Sequence, residues 1–179
     1  MNEVHIGQAG PREALALLPG LIALIEDAVA GGASVGFLHP VRLAEAEAYW
    51  FERIREIDCG CRVLLLARAG ERLVGTVQLR LETQPNGTHR AEIQRLLVLR
   101  EERLQGIGHR LVAEAERAAM RLGRWLLTLN TRSGDLPEQF YLRRGYVPVG
   151  RIPEFARNPD GSFNTTTILY RQLATSVPA

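Results

Sequence analysis

The sequence contains no lysine, because all 22 of its basic residues are arginine. A Walker phosphate-binding loop, which needs a Gly-Lys-Ser/Thr step, is therefore excluded. The arginines are spread along the chain, are offset by 20 acidic residues and form no basic block with interleaved aromatic residues. We expect no nucleic-acid partner and attribute the arginine excess to a coding preference. The alternative, nucleic-acid binding by arginine clusters, predicts strongly salt-dependent association.

Cysteine is scarce, and long apolar runs are missing. Cys59 and Cys61 stand two positions apart without a second pair, and the four histidines are scattered, so we expect no metal site. No apolar stretch is long enough to cross a membrane, and the sequence does not open with basic residues followed by an apolar stretch, as a secretory leader would. We therefore expect no membrane partner and a cytoplasmic protein.

The sequence does contain enough apolar residues, 46% of 179, for one well-buried core. That length is too short for two ordinary domains. We therefore expect a single domain over residues 1–173, followed by a short flexible tail over residues 174–179.

Apolar periodicity and turn residues predict alternating helices and strands. Spacing of three and four residues predicts helices over residues 11–30, 41–57, 106–122 and 137–144. The first helix could be interrupted near Pro19-Gly20. Short apolar or alternating runs predict strands over residues 63–67, 72–81, 92–99, 125–131, 146–152 and 163–173. Turn residues stand between strands at Pro85-Asn86-Gly87 and at Asn158-Pro159-Asp160-Gly161.

The most informative segment is Arg103-Leu104-Gln105-Gly106-Ile107-Gly108, between the apolar run Leu96–Leu99 and an amphipathic helix. Its two glycines let the main chain approach a ligand, and the first N–H groups of the helix face the same gap. The first turn has no Asp or Glu that would compete with a phosphate for these N–H groups. A dinucleotide fingerprint is excluded because Leu111 stands at its third glycine position. The segment therefore predicts a pyrophosphate site.

This segment matches the pattern Arg/Gln-x-x-Gly-x-Gly/Ala, and residues Glu92 to Tyr146 resemble the GNAT superfamily of N-acetyltransferases. The resemblance implies an α/β (α+β) fold with a mixed, mainly antiparallel central sheet of about seven strands and about four flanking helices. It further implies that the strands Glu92–Leu99 and Trp125–Thr131 splay apart and hold acetyl-CoA, the co-substrate, between them.

The resemblance also implies which residues bind the cofactor. The main chain of Leu97, Val98 and Leu99 would pair with the pantetheine arm, and the Val98 N–H would meet the thioester oxygen. The full expected set is Leu97, Val98, Leu99, Arg103, Leu104, Gln105, Gly106, Ile107, Gly108, His109 and Tyr141.

Three residues are expected to carry the chemistry. Tyr141, four positions before Gly145, matches the tyrosine that protonates the coenzyme A sulfur in the family, whereas its alternative role is a core aromatic. Glu92 matches the position whose carboxylate takes the proton of the amine through water. A straight strand would put Glu92 about 20 Å from Val98, so a bulge, a water chain or a long substrate would be required.

An ion pair of Glu92 with Arg90 or Arg95 is the alternative reading of that acid. Asn130 can orient a substrate or a water but cannot accept a proton as a carboxylate does.

Three segments narrow the resemblance further. Gly31–Phe37, Pro85-Asn86-Gly87 and Pro159-Asp160-Gly161 look like the tabtoxin-resistance acetyltransferases, which acetylate an amine on a small toxin. That group has an aspartate where this chain has Asn130, which leaves the acceptor and the second base open.

The sequence therefore predicts an N-acetyltransferase that moves an acetyl group from acetyl-CoA to a small-molecule amine by direct attack, as in detoxification, and acts as a monomer or homodimer. Two alternatives stay open: a non-catalytic module that binds acyl-CoA, and an acetyltransferase that acts on protein amines.

Overall fold

One seven-stranded sheet organises residues 3–173, which are the residues that the computed structural model describes. In chain order its strands are β1 (Val4–Ala9), β2 (Arg62–Ala69), β3 (Arg72–Leu81), β4 (Arg90–Val98), β5 (Leu126–Arg132), β6 (Val147–Arg157) and β7 (Phe163–Gln172). They lie in the order β1-β2-β3-β4-β5-β7-β6, and every neighbouring pair is antiparallel except β4 and β5. The predicted tail, residues 174–179, lies outside the described residues.

Helices cover both faces of this sheet. Within the described part of the chain they are α1 (Pro11–Ala16), α2 (Leu18–Ala30), α3 (Leu43–Asp58), α4 (Ile107–Arg121) and α5 (Leu136–Arg143). The apolar stripe of α4, which includes Leu111 and Ala115, packs on Val77 and Leu79 of β3. The other face packs against α1, α2 and α3, with Trp50 fully buried there.

The predicted mixed sheet is confirmed, but the predicted helix over residues 11–30 is two helices. The break falls at Leu17, before the Pro19-Gly20 pair. Pro19 lies in the first turn of α2, where its missing N–H leaves no hydrogen bond unmade, so it begins a helix instead of ending one.

The first strand, β1, was not predicted. It is an edge strand that pairs only with β2 and contains polar His5 and Gln8 beside Gly7, so its sequence lacks a clear alternation.

A buried polar network lies between the sheet and α3. Arg62 donates through Nη1 to the side-chain oxygens of Gln78 (2.8 Å) and Gln94 (2.9 Å), and through Nε to Glu56 (2.5 Å). The hydroxyl of Tyr49 on α3 donates to Gln78 (3.2 Å). We call these five residues the Arg62 network; it fixes the α3 face of β3 and β4 behind the cleft described below.

The strands β4 and β5 pair for only three residues. The register joins Arg90 to Leu126, Ala91 to Leu127 and Glu92 to Thr128. Beyond Glu92 the two strands separate, although β4 continues to Val98 and β5 to Arg132. The predicted splay is therefore present, and it leaves main-chain groups of β4 without a strand on that side.

The helix α5 is anchored by the carboxylate of Glu138, which is 3% exposed. It accepts hydrogen bonds from the Gly134 N–H (2.6 Å) and the Thr167 hydroxyl (2.6 Å). The N-cap residue, Asp135, makes no side-chain cap bond; Glu138 of the first turn instead binds the N–H of Gly134, the residue before the cap. The bonds from Thr167 and from Gly134 hold the pKa of Glu138 below its usual value.

Replacing Glu138 by alanine should lower the free energy of unfolding by about 2 kcal/mol at pH 7, because two buried donors lose a charged acceptor. Urea denaturation measures this loss. The pKa of Glu138 is lower in the folded than in the unfolded chain. The extra stability of wild type over Glu138→Ala is therefore complete above the unfolded pKa of about 4.3, and it disappears as the pH falls through the folded pKa. Glu26→Ala, at an exposed site on α2, is the control and should change stability by less than about 0.5 kcal/mol. Equal losses for both variants, or a loss that does not vary with pH, would contradict the assignment.

Candidate active site

A cleft of about 1320 Å³ opens where β4 and β5 part. It is lined by the loop over residues 31–38, β4, the first turn of α4, the end of β5, α5, and parts of β6 and β7. A pocket for one small ligand typically encloses about 300–1,000 Å³. The cleft is therefore large enough for an elongated ligand and a second small molecule.

The first turn of α4 presents unpaired amides to this cleft. The helix begins after Gly106, and its first internal hydrogen bond runs from the Arg110 N–H to the Gly106 oxygen (3.1 Å). The N–H groups of Ile107, Gly108 and His109 have no acceptor among residues 3–173, and no side chain caps the helix. Three neighbouring donors thus lie at the positive end of the helix dipole, as an anion site requires.

Gly106 and Gly108 of this turn meet different structural requirements. Gly106 has φ of +79°, a conformation that disfavours residues with a Cβ. At Gly108 φ is not positive, and a Cβ would come no closer than 3.9 Å, to Leu96 Cδ2. The protein itself therefore has room for a side chain at position 108. The absence of a Cβ at Gly108 instead lets a ligand approach the amides of the turn.

The N–H of Val98 is a further free donor on the cleft side. Val98 lies opposite Gly75, and the adjacent Leu99 N–H donates to the Val74 oxygen (3.0 Å). In an antiparallel ladder, this makes Val98 a residue whose own N–H and C=O point away from β3. Arg103 Nε donates to the Val98 oxygen (3.0 Å), whereas the N–H faces the gap left by β5.

The neighbours of Val98 are oriented differently. Leu97 pairs with Thr76 of β3, and the Leu99 N–H is already used by Val74. Of the three strand residues expected to bind a ligand arm through their main chain, Val98 is therefore the one with a donor directed into the cleft.

Tyr141 is both a core aromatic and a residue of the cleft wall. It is 5% exposed, and its ring packs edge-on against Tyr146 at a centroid distance of 5.2 Å. Its hydroxyl has no hydrogen-bond partner in residues 3–173, and the residue lines the cleft. Burial raises the pKa of the Tyr141 phenol above its usual value; Arg144 opposes this shift and Glu116 adds to it. The hydroxyl is therefore protonated at neutral pH and available to donate.

A chain of polar contacts orients His109 at the start of α4. Arg144 donates through Nη1 to His109 Nδ1 (2.9 Å) and through Nη2 to Glu116 (2.8 Å). Because a guanidinium can only donate, Nδ1 must accept, so the proton of the neutral ring is on Nε2. The sequence offered no signal for Glu116 or Arg144, since their contacts join residues 28 to 55 positions apart.

Glu92 and Asn130 lie side by side where the gap begins. Asn130 Nδ2 is 3.4 Å from Glu92 Oε1 and donates to it. The alternative reading of Glu92, an ion pair with Arg90 or Arg95, named the wrong partner: Arg80 of β3 stands directly opposite Glu92 and binds it through Nε (3.2 Å). Register, which the sequence does not reveal, selects this partner.

The strand between Glu92 and Val98 is not straight. The β3–β4 register shifts between Thr76 and Gln78, and Arg95 has φ of +49°. This is a β-bulge, one of the three routes that the sequence left open for linking Glu92 to the reacting atoms.

The two cysteines do not belong to the cleft wall. Cys59 and Cys61 lie in the turn after α3 and do not line it. Within residues 3–173, no group of three or more His, Cys, Asp or Glu side chains could hold a metal ion. No helix of that same region is long and apolar enough to cross a membrane.

The burial of Tyr141 predicts a phenol that resists ionisation. Of the four tyrosines, Tyr141 should contribute no ultraviolet phenolate signal up to about pH 10, so wild type and Tyr141→Phe should give superimposable titration curves to that pH. In urea the curves should separate, with the extra tyrosine titrating near pH 10. A Tyr141 transition in the folded protein below about pH 9 would contradict the burial argument.

The comparisons with solved structures agree with this fold. A ribosomal-protein-alanine N-acetyltransferase from Brucella melitensis is 20% identical, with a TM-score of 0.77 over 94% of this chain and 99% of that one. A candidate acetyltransferase from Salmonella typhimurium, solved with its cofactor acetyl-CoA, is 15% identical, with a TM-score of 0.75 over 99% and 98%. A candidate phosphinothricin N-acetyltransferase is 20% identical, with a TM-score of 0.77 over 97% and 100%. At these identities the likeness establishes the fold alone.

The family follows from the sequence match. Residues 33–146, more than half of the chain, match the model of the acetyltransferase (GNAT) family. That stretch includes β4, the first turn of α4 and Tyr141, which together form most of the cleft wall. The family expected from the loop at residues 103–108 is therefore confirmed: the chain belongs to the GNAT acetyltransferases.

Proposed function

We propose that this GNAT acetyltransferase moves the acetyl group of acetyl-CoA to an amine of a small molecule by direct attack, with residues 1–173 as one catalytic unit. The observation that carries the proposal is the set of unpaired amides on one wall of the cleft, at Ile107, Gly108, His109 and Val98. Buried or ligand-facing amides need acceptors, and a diphosphate followed by an amide-containing arm would supply them.

The residues present fit coenzyme A. The three amides of the α4 turn can bind its diphosphate, and the missing Cβ at Gly108 lets the phosphate oxygens approach. Arg103 and His109 line the same corner and add donors. The Val98 N–H can then pair with the arm or with the thioester oxygen. Bound acetyl-CoA supplies an acetyl group activated as a thioester.

The protein's own groups each have a role in the proposed transfer. A donor at the thioester oxygen, the Val98 N–H, stabilises the negative charge that develops there. As the amine nitrogen bonds to the carbonyl carbon and the carbon–sulfur bond breaks, the Tyr141 hydroxyl gives its proton to the departing sulfur. Glu92 takes the surplus proton of the amine through water, and Asn130 orients that water. Cys59 and Cys61 are outside the cleft wall, which favours direct attack over a covalent enzyme intermediate.

A small-molecule acceptor is the first choice. The resemblance of three segments to the tabtoxin-resistance acetyltransferases and the likeness to a candidate phosphinothricin N-acetyltransferase both favour it and would suit a detoxifying role. The likeness to a ribosomal-protein-alanine N-acetyltransferase supports the second candidate, transfer to a protein amine. Fold does not decide between acceptors, so an assay must.

Purified protein should release free thiol from acetyl-CoA when it is mixed with members of a panel of small-molecule amines. It should release much less thiol with peptides that have a free N-terminal alanine. Turnover on the peptides alone would favour the second candidate. Tight binding of coenzyme A without turnover on any amine would contradict the proposed activity and favour a non-catalytic module that binds acyl-CoA.

Removing the phenolic hydroxyl of Tyr141 should lower kcat by about 100-fold, within the range for loss of a general acid, and leave the Kd for coenzyme A unchanged. Stopped-flow thiol release and calorimetry measure the two quantities. Tyr170→Phe, on β7 outside the cleft wall, is the matched control and should behave as wild type. If the two variants have the same kcat, Tyr141 is only a core residue.

A carboxylate placed in the α4 turn should block the diphosphate site. Gly108→Asp should bind coenzyme A at least 10-fold more weakly than Gly108→Asn, which has the same size without the charge, because the new carboxylate occupies the amides and repels phosphate. The thermal unfolding temperature of Gly108→Asp should be no lower than that of Gly108→Asn, since an acid at a helix start is stabilising. Equal affinities would place the diphosphate elsewhere.

A further inference from the structure

The bulge in β4 directs one arginine to an unexpected face of the sheet. Side chains of a regular strand alternate between faces. Ile93 packs in the core beneath α4, and Gln94 belongs to the Arg62 network on the α3 side. Arg95 would return to the α4 core, but the bulge instead turns it towards α3, where its guanidinium carbon lies 5.4 Å from the ring centroid of Tyr49.

The guanidinium of Arg95 packs against the protein but has no counter-ion among residues 3–173. It lies against the main chain of Gly36, where an added Cβ would come within 2.5 Å of Nη2, so the glycine leaves space for it. Its Nε is buried without a hydrogen-bond partner, and none of the carboxylates in residues 3–173 comes within ion-pair distance of it. Arg95 nevertheless lines the cleft.

The acids of the cleft wall already have other partners. Glu92 binds Arg80, Asp135 binds Arg132 at 2.5 Å, and Glu102 is 3.3 Å from Arg72. A partly buried cation without a counter-ion is costly, whereas a guanidinium fork bound to a carboxylate makes two charge-assisted hydrogen bonds. An anion from outside the protein is therefore the natural partner of Arg95.

That anion is distinct from the diphosphate. The amides of the α4 turn lie on the α4 side of β4, the side on which Leu96 and Val98 pack. Arg95 lies on the opposite side, against Gly36 of the loop over residues 31–38, and lines the same cleft as Glu92 and Asn130. Because three residues span at most about 10 Å of main chain even when they are fully extended, Arg95 and Val98 are within the reach of one small molecule.

We propose that Arg95 binds a carboxylate or comparable oxyanion of the acceptor, so that the substrate is an amine that also carries an acidic group, as an amino acid does. This inference rests on the proposed acetyl transfer. The oxyanion lies against the Arg95 guanidinium beside Tyr49, and the amine is directed towards the thioester at Val98. Gly36 and the bulge at Arg95 are the two features that fix this anion site.

The test compares paired ligands that differ only in the acid. Amino acids of increasing amine-to-carboxylate separation, and phosphinate analogues of the same lengths, are assayed beside the corresponding neutral amides. Wild type should prefer the best acid over its amide by at least about 100-fold in kcat/KM. Arg95→Gln should lose that preference while keeping its kcat/KM on the amide and its Kd for coenzyme A; Arg95→Lys should keep part of the preference.

Arg53→Gln is the matched control, because Arg53 lies 5.2 Å from the same Tyr49 ring but does not line the cleft. It should retain the preference for the acid. An acid preference that survives Arg95→Gln, or turnover without any preference in wild type, overturns the inference and leaves the acetyl transfer intact.

A second readout separates the two proposals. Calorimetry of the same acids with the coenzyme A-loaded protein needs no turnover. Acid binding that is lost in Arg95→Gln supports the anion site even if no amine is acetylated, whereas identical binding by wild type and Arg95→Gln overturns it. Absence of turnover on every amine counts against the proposed function alone.

Discussion

The separation of β4 from β5 after three paired residues is the constraint on which the site depends. Main-chain donors cannot be left without acceptors at low cost, and neighbouring strands normally satisfy them. Here the neighbour departs, and the amide of Val98 faces a gap into which the first turn of α4 also directs its own unpaired amides. The fold thus creates a set of donors whose natural acceptors belong to a ligand.

The two faces of β4 divide the work of the proposed reaction. The α4 face provides the amides and, through the neighbouring α5, the Tyr141 hydroxyl. The α3 face provides Glu92 and, because of the bulge, Arg95. Buried polar clusters around Arg62, Glu116 and Glu138 hold the supporting elements, so the cleft residues lie on a rigid frame. Such support is what precise positioning of reacting groups requires.

Local features of this protein could be predicted from its sequence. The uncapped first turn of α4 could be predicted because glycine at position 106 and the absence of acids in that turn act on the main chain within a few residues. The strands and helices with clear periodicity were found for the same reason. The interruption predicted near Pro19-Gly20 lies at Leu17, two residues earlier, because Pro19 belongs to the first turn of α2 and proline can begin a helix as well as interrupt one.

Features that depend on register could not be predicted. The partner of Glu92 is Arg80, a residue of another strand, and no pattern within β4 indicates it. A positive φ at Arg95, which is not a glycine, has no sequence signature, so neither the position of the bulge nor the new direction of the Arg95 side chain could be foreseen. The contacts of Glu116 with Arg144 and Arg171 likewise join segments far apart in the chain.

A crystal structure with coenzyme A tests the central claim most directly, because it shows which groups accept hydrogen bonds from the amides of the α4 turn. The account predicts diphosphate oxygens at about 3 Å from the N–H groups of Ile107, Gly108 and His109, a usual hydrogen-bond distance. A diphosphate bound elsewhere, or a carboxylate of the protein itself seated on those amides, would contradict it.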